Sequence, residues 1–153
     1  MVKRRYHRTS MGSFFGDYVY DQVVPQDHFL VALDSLFDWE KYSEVLIQMY
    51  RGKGLRGRPP YNPVVLLKML FVSYLYNVSE RDVESLTNVH LAVKWFVGLA
   101  VDERAPDHST LTKFKQRLVR DGTGWGCLQE VFQGILREAR EQGVALGQLQ
   151  MLE

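Results

Sequence analysis

The chain has 153 residues, 46% of them hydrophobic, and a formal net charge of +1 from 19 Lys and Arg against 18 Asp and Glu. That length and apolar content allow one ordered core without help from a metal, and the single cysteine, Cys127, excludes an internal disulfide framework and fits a reducing compartment. No apolar run reaches the ~20 residues of a membrane span, and no apolar segment follows the basic N-terminus to make a signal peptide, so a cytoplasmic protein is expected.

Residues 1–24 read as an arm, basic at first and then aromatic, with Phe14, Phe15, Tyr18 and Tyr20 placed to pack on the body. A first helix is predicted to start at Pro25–Asp27, because Phe29, Leu30, Leu33, Leu36 and Phe37 recur at three- and four-residue steps. A second follows, with Asp38 as N-cap and Trp39, Tyr42, Val45, Leu46 and Met49 on its apolar face. Arg51 to Tyr61, RGKGLRGRPPY, holds three glycines and two prolines and reads as a solvated linker. Asn62 then caps a helix with Pro63 at its first position. Its body, Val64 to Tyr76, is almost wholly apolar and so belongs at the centre of the fold. After a break at Asn77 and Val78, Ser79-Glu80-Arg81-Asp82 resembles a capping box and opens a helix that ends near Asn88. Leu91, Ala92, Trp95 and Phe96 make another apolar face, stopped by Gly98. Beyond a polar loop from Val101 to Pro106, Asp107 or Ser109 can cap a helix whose buried stripe is Leu111, Phe114 and Leu118. Gly122, Gly124 and Gly126 interrupt the chain. A long helix from about Cys127 to Gln142 follows, with Val131, Ile135 and Leu136 turned inward, and Gly143 ends it. Residues 144–151 alternate as a strand would. The predicted architecture is all-α, six or seven helices with a helix-turn-helix-like core and room for one terminal strand.

The near-neutral sum hides segregated charge. From Asp17 to Glu44 there are seven acids and one base, whereas Val45 to Ser79 holds five bases and no acid. Residues 1–10 and Lys113 to Arg120 each add four bases and no acid. A polyanion responds to local charge, so these runs point towards nucleic acid, although a run of charge also serves simply as a solvated face.

Three segments carry that reading. Helix–break–helix–helix between Pro63 and Gly98 is compatible with a helix-turn-helix unit as well as with ordinary packing. In PDHSTLTKFKQRL, His108 and Ser109 stand at a helix N-terminus, where free N–H groups suit a phosphate. Lys113, Arg117 and Arg120 share a face by spacing, with Lys115 beside them. In the linker, Arg56 and Arg58 could follow a backbone or enter a minor groove. Catalytic signals are thin. His7, His28, His90 and His108 are scattered, Cys127 reads as a core residue, and the pairs Asp82/Glu84 and Asp102/Glu103 are explained by capping and solvation. Neither a metal site nor a catalytic residue is expected.

The segments VPQDHFLVALDSLFDW, GRPPYNPVVLLKMLFVSYLYNVSERDVES, VKWFVGL and APDHSTLTKFKQRL, in that order, resemble the N-terminal helical domain of bacterial insertion-sequence DDE transposases, over about residues 25–150. The resemblance implies an arm at 1–24, a helical domain at 25–143 and, at 144–153, the start of an RNase H-like domain. It implies double-stranded DNA, namely terminal inverted repeats, as partner, and leaves a homodimer open. It also implies that the acidic triad and its divalent metal, magnesium, belong to the catalytic domain that follows. Glu153 falls where the family would place its first aspartate, which reads either as a truncation ending in a cloning remnant, the favoured reading, or as a genuine glutamate at that position. Two other readings remain: a dimerisation or docking module without DNA binding, and an autonomous helix-turn-helix regulator.

Overall fold

A computed structural model describes residues 14–36, 38–39, 61–120 and 125–143, with side chains for all of these except 117–120 and 125–131. Seven helices and no strand occur among them: α1 (Phe14–Val23), α2 (Phe29–Leu36), α3 (Pro63–Tyr76), α4 (Glu80–Val89), α5 (Leu91–Val97), α6 (His108–Arg120) and α7 (Trp125–Glu141). The second predicted helix, the linker with Arg56 and Arg58, the terminal strand and Glu153 lie outside the described residues.

Helix α3 is the axis, and it touches α4, α5, α6 and α7. Its start follows the predicted chemistry: Asn62 Oδ1 accepts the Val64 N–H at 3.0 Å, and Pro63 occupies the first turn, where a missing N–H costs nothing. Its end is set by Asn77, which adopts a left-handed φ of 54°. The Val78 N–H then returns to Ser73 O at 3.0 Å. Between these caps nearly every side chain is buried, as a helix apolar on all sides requires.

Phe71 is the centre of the core. Its ring lies 5.3 Å from Trp39, 6.0 Å from Phe96 and 5.1 Å from Phe132, between centroids. Edge-to-face and tilted packing of this kind adds about 0.5–1.5 kcal/mol per pair beyond area burial. One cation enters this cluster. Lys68 is only 9% exposed, and its Nζ reaches Asp34 on α2 at 2.8 Å. The ammonium also sits 5.1 Å from the Phe96 ring centroid and 5.6 Å from that of Trp39. A buried ammonium needs such partners, because unpaired burial would cost several kcal/mol.

One expectation is corrected. The aromatic stretch of the arm is helical from Phe14, and only part of it packs on the body. Gly16, Tyr20 and Val24 recur at four-residue steps and face inward, so Phe14, Phe15 and Tyr18 fall on the outer side, 90%, 71% and 54% exposed. Tyr20 donates its hydroxyl hydrogen to Leu99 O at 2.7 Å and ties α1 to the chain after α5. Burial first, and then Glu103, Asp17 and Asp102, raise its phenol pKa well above the ordinary value.

The helix-turn-helix expectation runs through the pair α4–α5. No turn separates them, because His90 both closes α4 and caps α5. Of the seven residues of α5 only Leu91 and Trp95 are part-exposed, and even Lys94 is buried, donating to Val101 O at 2.8 Å. Helix α5 therefore has no free face to lay in a groove. No helix among the described residues is long and apolar enough to cross a membrane.

Candidate nucleic-acid interface

Helix α6 runs antiparallel to α4, and a row of polar side chains joins them. Glu80, Glu84 and Asn88 stand at four-residue steps and so share one stripe of α4. Asn88 Oδ1 accepts the Ala105 N–H at 2.9 Å. Glu84 Oε1 accepts the His108 N–H at 2.8 Å and lies 2.8 Å from His108 Nδ1. Glu80 Oε1 accepts from Lys115 Nζ at 3.3 Å. On α6 the facing stripe is His108, Thr112 and Lys115, spaced four and three, beside the buried Leu111 and Phe114.

This seam decides what the start of α6 can do. Asp107 is its cap: Oδ2 accepts the Ser109 N–H at 2.9 Å and also the Ser109 hydroxyl. Asp107 Oδ1 lies 3.5 Å from His108 Nδ1. The first N–H groups of α6, expected to stand open for a phosphate, are thus taken by carboxylates. A phosphate at the backbone N–H of His108 or Ser109 would have to displace Glu84 or Asp107, and one at Lys115 would share its ammonium with Glu80. The two backbone and side-chain hydrogen bonds from His108 hold the Glu84 pKa below its usual value, and those from Ser109 do the same for Asp107.

Glu84, Asp107 and His108 bring one ligand-type atom each within 4.8 Å of one another. Sequence spacing hides this grouping, because Glu84 lies on another helix. In the structure these contacts close the N-terminus of α6 and fix it to α4. The signal available beforehand was the i, i+4, i+8 stripe of Glu80, Glu84 and Asn88, which reads as a docking edge for a neighbouring helix.

The side of α6 turned away from the core is different. Lys113 is exposed and forms no ion pair with the described residues. The helix continues through Arg120, so positions 117 and 120 follow 113 by four and seven residues on that side of the helical repeat. The helix itself holds four cations and no acid. Arg81, exposed near the start of α4, lies close enough to bias Asp107 electrostatically, which puts a fifth cation beside the seam. Of the residues expected to contact phosphate, the structure separates His108, Ser109 and Lys115, held by acids, from Lys113, which is free to meet a ligand.

Comparison with known families bears on this arrangement. The family model described as Transposase domain (DUF772) matches residues 18–117, from α1 through most of α6 and well over half the chain. No solved structure matches the chain. The match spans the central helix α3, the helices α2, α4 and α5 and most of α6, and the chain belongs to that transposase-domain family.

Proposed function

We propose that this domain binds double-stranded DNA through the outer side of α6 and holds the terminal inverted repeats of an insertion sequence for cut-and-paste transposition. The catalytic acids and their magnesium would come from an RNase H-like domain, where two metal ions can clamp the attacking and leaving oxygens. The observation that carries the proposal is the division of labour on α6. One stripe is buried, one is joined to α4, and the remaining side carries the exposed Lys113; by helical spacing, sequence positions 117 and 120 follow it in register, and the helix holds no acid. Fixing the helix along two stripes gives the third a defined orientation, which contact with a phosphate backbone requires.

The test is a band-shift or anisotropy titration of the 153-residue chain against terminal-repeat and random duplexes at several salt concentrations. Lys113→Ala with Arg117→Ala should weaken binding to both duplexes. It should also flatten the slope of log K against log salt by about 1.8, two phosphate contacts' worth. Binding and slope unchanged in that variant would reject this surface.

A second reading rests on a separate observation. Helix α1 exposes Phe14, Phe15, Tyr18 and Val23 together, with Asp17 and Asp21 alongside. Clustered exposed aromatics mark interaction surfaces more often than solvated ones. In this reading the domain pairs with a second copy or with its catalytic domain, and binds DNA only as part of that assembly. Size-exclusion of the isolated chain separates the two: a dimer with negligible affinity for DNA at moderate salt supports the second, and a DNA-binding monomer the first.

A further inference from the structure

His28 and His90 are far apart in sequence and adjacent in space. Each stands immediately before a helix. His28 Nδ1 accepts the Leu30 N–H at 3.2 Å at the head of α2. His90 Nδ1 accepts the Val93 N–H at 3.2 Å at the head of α5. The backbone of His90 joins two helices as well: its N–H donates to Leu86 O at 2.8 Å and its carbonyl accepts the Lys94 N–H at 2.9 Å. The two rings meet edge-on with centroids 6.2 Å apart. His28 stacks on Phe29 at 4.8 Å, and Phe29 leans on Tyr76 of α3 at 6.4 Å.

An imidazole accepts a hydrogen bond only through a bare nitrogen, so both rings must be neutral with the proton on Nε2. Protonation turns each acceptor into a donor and sets a positive charge at a helix N-terminus, where the dipole already disfavours a cation. Among the described residues, the following groups surround His28. Asp27 precedes it, the His90 ring faces it from the α4–α5 corner, and Tyr76 stands beyond Phe29, its phenol pKa raised by burial. Lys94, one turn into α5, directs its ammonium to Val101 O.

We propose that His28 and His90 form an acid-sensitive double cap that fastens α2 to the α4–α5 corner and lets go when the rings take up protons. Burial, and then the neighbouring His90 ring, hold the His28 pKa below 6.5, with Asp27 opposing. The unfolded chain therefore takes up this proton at a higher pH than the folded one. The contribution of the cap to stability is present above pH 6.5 and is lost as pH falls through the lowered folded value. The His90 ring, 6.2 Å away, is thus part of what disfavours a charge on His28.

Long-range proton–nitrogen NMR of the ring nitrogens tests this on the parent chain, on His90→Asn and on His28→Asn, between pH 7.5 and pH 5. Asparagine keeps an N-cap acceptor and removes the titration. Both Nδ1 atoms should be bare at pH 7.5, and His28 should titrate below 6.5. Its midpoint should rise in His90→Asn by about half a pH unit, the Coulomb interaction of two charges ~6 Å apart in a near-aqueous medium. Amide protection at Leu30 and Val93 should fall together as the parent is acidified. A proton on either Nδ1 at pH 7.5, or a His28 midpoint at or above 6.5, would overturn the proposal, as would a midpoint unmoved by His90→Asn. Tautomer and midpoint are read on the parent, so they decide the question even where a variant fails to fold.

Discussion

At the scale of single residues, this domain places charge inside only where partners surround it. Lys68 is the clearest case, with a carboxylate at 2.8 Å and two aromatic faces within 6 Å. Removing the Asp34 charge strands a buried ammonium, whereas removing the Lys68 ammonium leaves a carboxylate that water still reaches. Asp34→Asn should therefore destabilise by about 1–3 kcal/mol, reduced from the fully buried figure because Asp34 is about a third exposed. Lys68→Met should stay within about 1 kcal/mol of the parent; denaturant midpoints at constant slope would check both. Glu84 offers a pH test. Its lowered pKa means that the unfolded chain is protonated first as pH falls. Its contribution is therefore present above pH 4.5 and lost below it. Glu84→Gln should be less stable than the parent at neutral pH, and the gap should close as the solution is acidified through that range. A gap of constant size would show that His108 does not depend on the Glu84 charge.

At the scale of elements, helix ends are where side-chain chemistry and backbone geometry agree most closely. Asn62, Ser79, His90 and Asp107 each accept a first-turn N–H through the side chain. Gly98 ends α5 with a φ of 95°, and the Leu99 N–H then returns to Lys94 O at 3.2 Å. A side chain at that φ is strained, so Gly98→Ala should cost about 1–2 kcal/mol. Asn77, at a φ of 54°, already tolerates the left-handed region, and Asn77→Gly should change stability by less than about 0.5 kcal/mol. A larger loss for Asn77→Gly than for Gly98→Ala in thermal melts would contradict this account of the two caps. The seam between α4 and α6 belongs to the same scale. It explains why a helix rich in lysine and arginine keeps Lys115 for its neighbour and leaves Lys113 outside.

For the whole molecule, the question is what makes one core of helices distant in sequence. The rings of Trp39, Phe71, Phe96 and Phe132 answer it, since α3, α5 and α7 meet through them. Phe132 is 1% exposed and also packs 5.7 Å from Tyr74. Phe132→Ala should remove about 3–5 kcal/mol, the cost of a large cavity at a well-packed centre. Hydrogen exchange should then quicken in α3 as well as in α7, because α7 is one wall of the site that holds Phe71. Loss of protection confined to α7 would mean that this helix docks as an appendage.

What the chain order and residue types determined alone is local. Proline and glycine set boundaries, cap residues such as Asn62, Ser79 and Asp107 mark several starts, and apolar residues at three- and four-residue steps choose the buried face. On those grounds α2 through α7 and the all-α class were legible, and α3 was recognisable as the central helix because no polar face was available to it. The inward stripe of α7 was only partly legible. Ile135 and Leu136 are buried as expected, but Phe132 and Ala139 complete the stripe, and only the position of Phe71 shows why. The tertiary structure alone decided which charges are spoken for. Glu84 meets His108, Glu80 meets Lys115, and His28 meets His90 across gaps in sequence that no local pattern spans. Spacing along a helix shows which side chains share a face, but the partner on the next helix depends on how the two pack, and that contact determines whether a cation is structural or free to bind.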